Sequence, residues 1–216
     1  MSDTTLSRST QSGAPGLAGT KSFVAVVLVG WLALVLALGA ARSFVSPPGT
    51  PPLPIAIGVV VPVLLFLAAL RWSRQFREWV LTADLRIMLA IQAWRFAGLG
   101  FLALYAYEVL PAAFAWPAGL GDIAIGATAA WLLFAVIREP RFAASKTFVV
   151  WNLLGLLDLV VAVGTGALIS ALATGAPGEI TTGPMALLPL VLIPVYFVPI
   201  FVMLHLAALM QARHLG

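Results

Sequence analysis

Six stretches of this chain are apolar for long enough to cross a lipid bilayer, and that constrains every other reading of it. A spanning helix needs about 20 apolar residues at roughly 1.5 Å per residue. The segments are Ser22–Ala40, Pro54–Leu70, Ile87–Leu110, Gly119–Ile137, Thr147–Leu172 and Ala186–Met210, the second being the shortest. Composition agrees: 62% of residues are hydrophobic and 9% charged, against about 25% charged in a soluble domain. So few charges could not cover a water-facing surface. The expected fold is all-α, a polytopic transmembrane bundle of six spans forming one domain over residues 21–216.

Residues 1–20, MSDTTLSRSTQSGAPGLAGT, are polar and aperiodic, and read as a disordered cytoplasmic tail. The first span ends in ALGAAR, which resembles the cleavage site of a signal peptide. Its long apolar run and the long segment before it favour an uncleaved helix.

Lysine and arginine orient the bundle. Arg8 and Lys21 precede span one, and Arg71, Arg74, Arg77 and Arg86 lie between spans two and three. Arg138, Arg141 and Lys146 lie between spans four and five, and Arg213 follows span six. All fall on one side if the termini share it, leaving Arg42 alone on the other. The positive-inside rule places both termini in the cytoplasm. That topology accounts for the net charge of +4, and with no basic domain nucleic acid is not an expected partner. The lipid bilayer is.

Between spans two and three, WSRQFREWVLTADLR has Trp72, Phe76, Trp79, Val80 and Ala83 at helical spacing. This predicts an interfacial helix near 72–86, with its aromatics at the headgroup boundary and its arginines near anionic lipid. The competing reading extends the flanking spans past the membrane. SFVSPPGTPPLP reads as an extended outer connection.

Ionisable residues within the bilayer are costly and face the bundle or water. Gln92, Asn152 and His205 lie about 8 Å from the cytoplasmic ends of their spans, Arg95 about 12 Å and Asp158 about 16 Å. Gln92, Arg95, Asn152, Asp158 and His205 thus form a candidate polar site within one slab. Arg95 and Asp158 are the natural pair, serving either as a ligand site or as a clamp between spans three and five. Pro189, Pro194 and Pro199 interrupt span six and predict a kink, freeing the carbonyls of Met185, Leu190 and Val195. A second candidate is an outer acidic pair, Glu108 and Asp122, with a capping role at the start of span four as the simpler reading for Asp122. Gly126 and Ala130 follow Asp122 at steps of four, a close-packing pattern.

The chain has no cysteine, which excludes thiolate metal sites, iron–sulfur clusters and cysteine nucleophiles. No HExxH, aspartate-rich or GxSxG motif is present. A haem is not expected either, since the second histidine, His214, lies at the chain end. Hence no catalytic residue, cofactor or metal is assigned.

Three segments carry a resemblance: QAWRFAGLGFLALYAYEVLPAAFAWPAGLGDIAIG, WNLLGLLDLVVAVGTGAL and LIPVYFVPIFVMLHLAALMQ. Over roughly residues 92–211 the chain resembles a group of small bacterial integral membrane proteins of unassigned function. The resemblance implies an inner-membrane protein and brings no substrate with it. The residues themselves point to binding or movement of a small solute or proton through the polar site. The alternative is a structural, accessory or sensing subunit whose polar pairs only hold helices together. Six spans are few for a complete transporter, so a homodimer is the assembly that transport would suggest.

Overall fold

A computed structural model describes residues 15–215, with side chains from residue 19 onward. Most of the expected tail, residues 1–14, lies outside the described residues. The remainder is already helical, because Pro15 occupies a first-turn position where its missing N–H is no loss. Eight α-helices follow in order: α1 Pro15–Ala40, α2 Leu53–Trp72, α3 Arg74–Thr82, α4 Leu85–Gln92, α5 Leu99–Ala106, α6 Ala112–Arg138, α7 Lys146–Leu172 and α8 Val198–Leu215. A 3-10 segment, Ala93–Gly98, joins α4 to α5, and a π-helical segment, Ile193–Phe197, leads into α8. No strand occurs among the described residues.

Six helical stretches are long and apolar enough to cross a membrane: Gly19–Ala40, Leu53–Trp72, Leu85–Ala106, Ala112–Arg138, Lys146–Leu172 and Ile193–Leu215. Span four begins at Ala112 rather than at Gly119, because Pro111 supplies the helix start and Pro117 is carried inside the helix. Span six begins later than Ala186, which closes a 3-10 turn, Gly183–Ala186.

That shift revises the kink. Pro189 lies in a turn before the helix, so it bends no span. Pro194 sits inside the π segment, where the Val198 N–H reaches back five residues to the Ile193 carbonyl. The wide turn accommodates the amide that Pro194 lacks. The Leu190 carbonyl, expected to be freed, accepts from the Ile193 N–H at 3.0 Å. Pro199 follows at the return to α-helical register.

Helix α6 is the centre of the bundle. It packs along the whole third span and against α7, and α8 closes the group against α7 and α2. A core of Leu89, Ala129, Leu132, Phe148, Trp151 and Ala208 fills one end of these contacts, and Phe101, Leu110, Phe114, Ala115 and Met185 fill another. Helix α1 is peripheral, meeting mainly α3 and the π segment. There Tyr196 donates its hydroxyl to the Leu28 carbonyl at 3.2 Å.

The short helix between spans two and three differs from the expectation in its facing. Phe76, Trp79 and Val80 pack on Phe66, Leu70, Met88, Ala207 and Leu204. Its apolar side is therefore docked on protein rather than in the headgroups, because the ends of α2 and α8 offer apolar surface there. Only Trp72 is widely exposed, at 82%. Ser73 caps α3, accepting from the Phe76 N–H at 3.2 Å. The buried Gln211 amide donates to the carbonyls of Val80 and Ala83 at 2.8 and 2.9 Å.

Gln211→Leu should orphan those two carbonyls and lower stability by about 1–3 kcal/mol. Thermal unfolding in detergent measures the loss, and faster proteolysis at Arg77 should accompany it. An unchanged unfolding temperature would show that α3 does not depend on Gln211.

Candidate functional site

Arg95 is carried on the 3-10 segment of the third span, whose three-residue turn stacks positions three apart. Gln92, Arg95 and Gly98 consequently share one inward stripe and are all buried, while Trp94 and Phe96 face outward. The Arg95 side chain is fully enclosed. Its Nε donates to Asp122 Oδ1 on α6 at 2.7 Å, and Nη2 to Asp158 Oδ2 on α7. Nη1 donates to the Gly155 carbonyl at 3.3 Å and meets His205 Nε2 of α8 at 3.1 Å. The Phe201 ring lies 5.8 Å from the guanidinium carbon.

These contacts require helices closer together than side chains normally allow. A Cβ on Gly126 would collide with the backbone of Arg95 and Phe96. A Cβ on Gly121 would collide with the Asp158 carboxylate, and one on Gly155 with the His205 ring. Small residues thus admit the arginine segment to α6 and let Asp158 and His205 reach it.

The hydrogen bonds fix the state of His205, whose side chain is fully buried. Arginine has no acceptor, so Nε2 must accept from Arg95. The ring proton then sits on Nδ1 and is donated to Asn152 Oδ1 at 2.9 Å. The Asn152 amide nitrogen is itself committed to the Phe148 carbonyl at 2.9 Å, which fixes its orientation. His205 is therefore a neutral, doubly hydrogen-bonded ring, with Trp151 tilted against it at 5.3 Å. Gln92 stands slightly apart: its nitrogen donates to the Phe201 carbonyl at 3.2 Å, and its buried oxygen has no partner among the described residues.

The cluster thus joins Arg95, Asp158, His205 and Asn152, and adds Asp122. The outer acidic pair is not formed. Asp122 lies ten residues inside α6 instead of at its start, because the helix begins at Ala112, and it turns inward to Arg95. Glu108 is exposed and has φ +57°, ending the third span as a left-handed cap. The step of four from Asp122 to the buried Gly126 is the sequence signal that Asp122 lies on a packed helix face, whereas Ala130, one step further, is exposed.

Two cavities lie away from the cluster. One of about 330 Å3 is lined by Tyr105, Glu108, Pro111 and Ile180, and one of about 190 Å3 by Pro48, Ser170 and Glu179. Among the described residues, no group of three or more His, Cys, Asp or Glu is placed to hold a metal. In the connection after α7, the Thr174 N–H and hydroxyl hold the Glu179 carboxyl below the usual range, helped by the Gly175 and Ala176 N–H groups.

A helical, multi-pass membrane protein with a buried arginine between two carboxylates is the class that this fold and cluster define. Residues 52–213 match the family model described as a domain of unknown function (DUF8737), and the chain belongs to that family. The match takes in α2 to α7, α8 as far as Arg213, and every residue of the cluster. No curated protein and no solved structure matches the chain.

Asp122→Asn and Asp158→Asn each leave Arg95 one carboxylate, whereas the double variant leaves none. The double variant should lose about 3–5 kcal/mol, well beyond either single change, as read by unfolding in detergent. Equal stability of all three would refute the shared pairing. Gly155→Ala should lose about 1–3 kcal/mol through the forced displacement of His205. A depressed folded pKa for Glu179 stabilises the loop above the ordinary carboxylate range, and that contribution disappears as pH falls through the depressed value. Amide exchange at Thr174 and Gly175 should therefore match Glu179→Gln at low pH and be slower than in that variant near neutrality.

Proposed function

We propose that this chain is a bacterial inner-membrane protein, with both termini cytoplasmic, that binds a proton at Asp122–Arg95–Asp158 and passes it across the bilayer. The orientation rests on the one-sided distribution of lysine and arginine. The proton rests on one observation: two carboxylates share one guanidinium, while the histidine beside them is neutral. Two ionised carboxylates would leave one negative charge uncompensated inside the bilayer, where charge is expensive. Protonating either one brings the cluster to neutrality, and deprotonation then becomes the event that drives rearrangement around Arg95. The Asp122 and Asp158 side chains keep 18% and 13% of their surfaces exposed, leaving both carboxylates edges for proton exchange.

A structural role is the second reading, and it is favoured by the complete enclosure of the Arg95 side chain. In that reading the cluster only locks spans three to six together, within an accessory or sensing subunit.

Reconstitution separates the two. Proteoliposomes with a lumenal pH dye should acidify under an imposed potassium diffusion potential. Asp158→Asn and Asp122→Asn should each reduce the rate at least about tenfold, the scale of one unmatched proton step. A wild-type rate equal to that of empty liposomes would overturn the proton reading and leave the structural one.

A further inference from the structure

A further concentration of charge lies at one end of the bundle, around α3, and the proton cluster does not use it. Arg71, Arg74, Arg77 and Arg86 are all exposed. Arg74 is 3.6 Å from Glu78 within α3, and Asp84 accepts from the backbone N–H of Arg86 at 2.9 Å. Arg71, Arg77 and Arg86 form no ion pair among the described residues.

Contacts distant in sequence bring two further cations to this place. Gln75 on α3 donates to the Thr20 hydroxyl at 3.0 Å, which sets the exposed Lys21 beside α3. The Gln211 bonds to Val80 and Ala83 hold the end of α8 against α3, and the exposed Arg213 follows two residues later. Because the apolar side of α3 is already covered by α2 and α8, its charged side is left facing outward. The exposed Trp72 closes the apolar run of α2 and marks the headgroup level.

We propose that Lys21, Arg71, Arg74, Arg77, Arg86 and Arg213 form a site for the headgroup of an anionic phospholipid. Guanidinium groups offer planar forks that match phosphate oxygens, and α3 is held in place by its docked face. The occupant is a lipid rather than free phosphate because the cations lie beside the end of α2, whose exposed Val61, Leu64, Leu65 and Leu67 offer a surface for acyl chains. Phosphatidylglycerol should bind in preference to phosphatidylcholine, since the latter's choline cancels its phosphate charge.

The test is native mass spectrometry of the full chain released from nanodiscs containing equal amounts of the two lipids. The wild type should retain phosphatidylglycerol at least about tenfold over phosphatidylcholine, each arginine contributing about fivefold. Combined Arg71→Gln, Arg74→Gln and Arg77→Gln should reduce the preference at least about fivefold without lowering the unfolding temperature, because these side chains are exposed. Arg138→Gln with Arg141→Gln, in the connection between α6 and α7, should preserve it. Equal retention of the two lipids by the wild type would overturn the proposal. So would a preference undiminished by the triple change, or one reduced equally in the second pair. Displacement of the lipid by millimolar inorganic phosphate would show a free-anion site instead and overturn the assignment to lipid.

Discussion

A guanidinium placed within a bilayer must find acceptors for its donors inside the protein, and this chain is organised around meeting that demand for Arg95. Removing such a group from water carries a penalty of several kcal/mol, recovered only where geometry and hydrogen bonding are good. Three helices converge to supply it: Asp122 from α6, Asp158 and the Gly155 carbonyl from α7, and His205 from α8, all meeting the 3-10 segment that carries the arginine. The glycines at the contact points follow from the same demand. They are where backbone, carboxylate or imidazole must pass through the space of a missing side chain.

Much of this architecture could be read from the residues. The six apolar runs show six candidate spans because a bilayer imposes length and composition together. Arg95, Asp158 and His205 stood out because charged and titratable groups are rare in such runs and had comparable depths. Asp122 was harder to place. Its role depends on which of several small residues begins span four, and a sequence with both Pro111 and Pro117 offers two starting points. A shift of seven residues moves Asp122 from a helix cap to a buried face. The orientation of α3 was also beyond a periodicity argument, which identifies an apolar face without saying whether protein or lipid covers it.

The polar network is graded rather than uniform. Arg95 and His205 have every polar side-chain nitrogen engaged, whereas the carboxylates keep part of their surface open and Gln92 keeps one oxygen without a partner. Rigid groups therefore sit beside groups with spare hydrogen-bonding capacity. Such a gradient suits a centre whose charge changes without the surrounding helices losing their hold. Helix α1 stands outside both the network and the family match, tied on chiefly by Tyr196 and by the contact with α3.

The π segment has a consequence for how the last span must be counted. A π turn is an α-helix with one residue inserted, and each residue advances an α-helix by about 100°. The bearing of His205 toward Arg95 is therefore set relative to Val191 and Val195, both fully buried near or within the wide turn. The same residues wound as regular α-helix through Ile193–Phe197 would keep composition, hydropathy and length. The imidazole would nevertheless be turned by about 100° from its bearing on the guanidinium. The wide turn acts as a phase setting for the span, so that two parts of one helix face different partners at once.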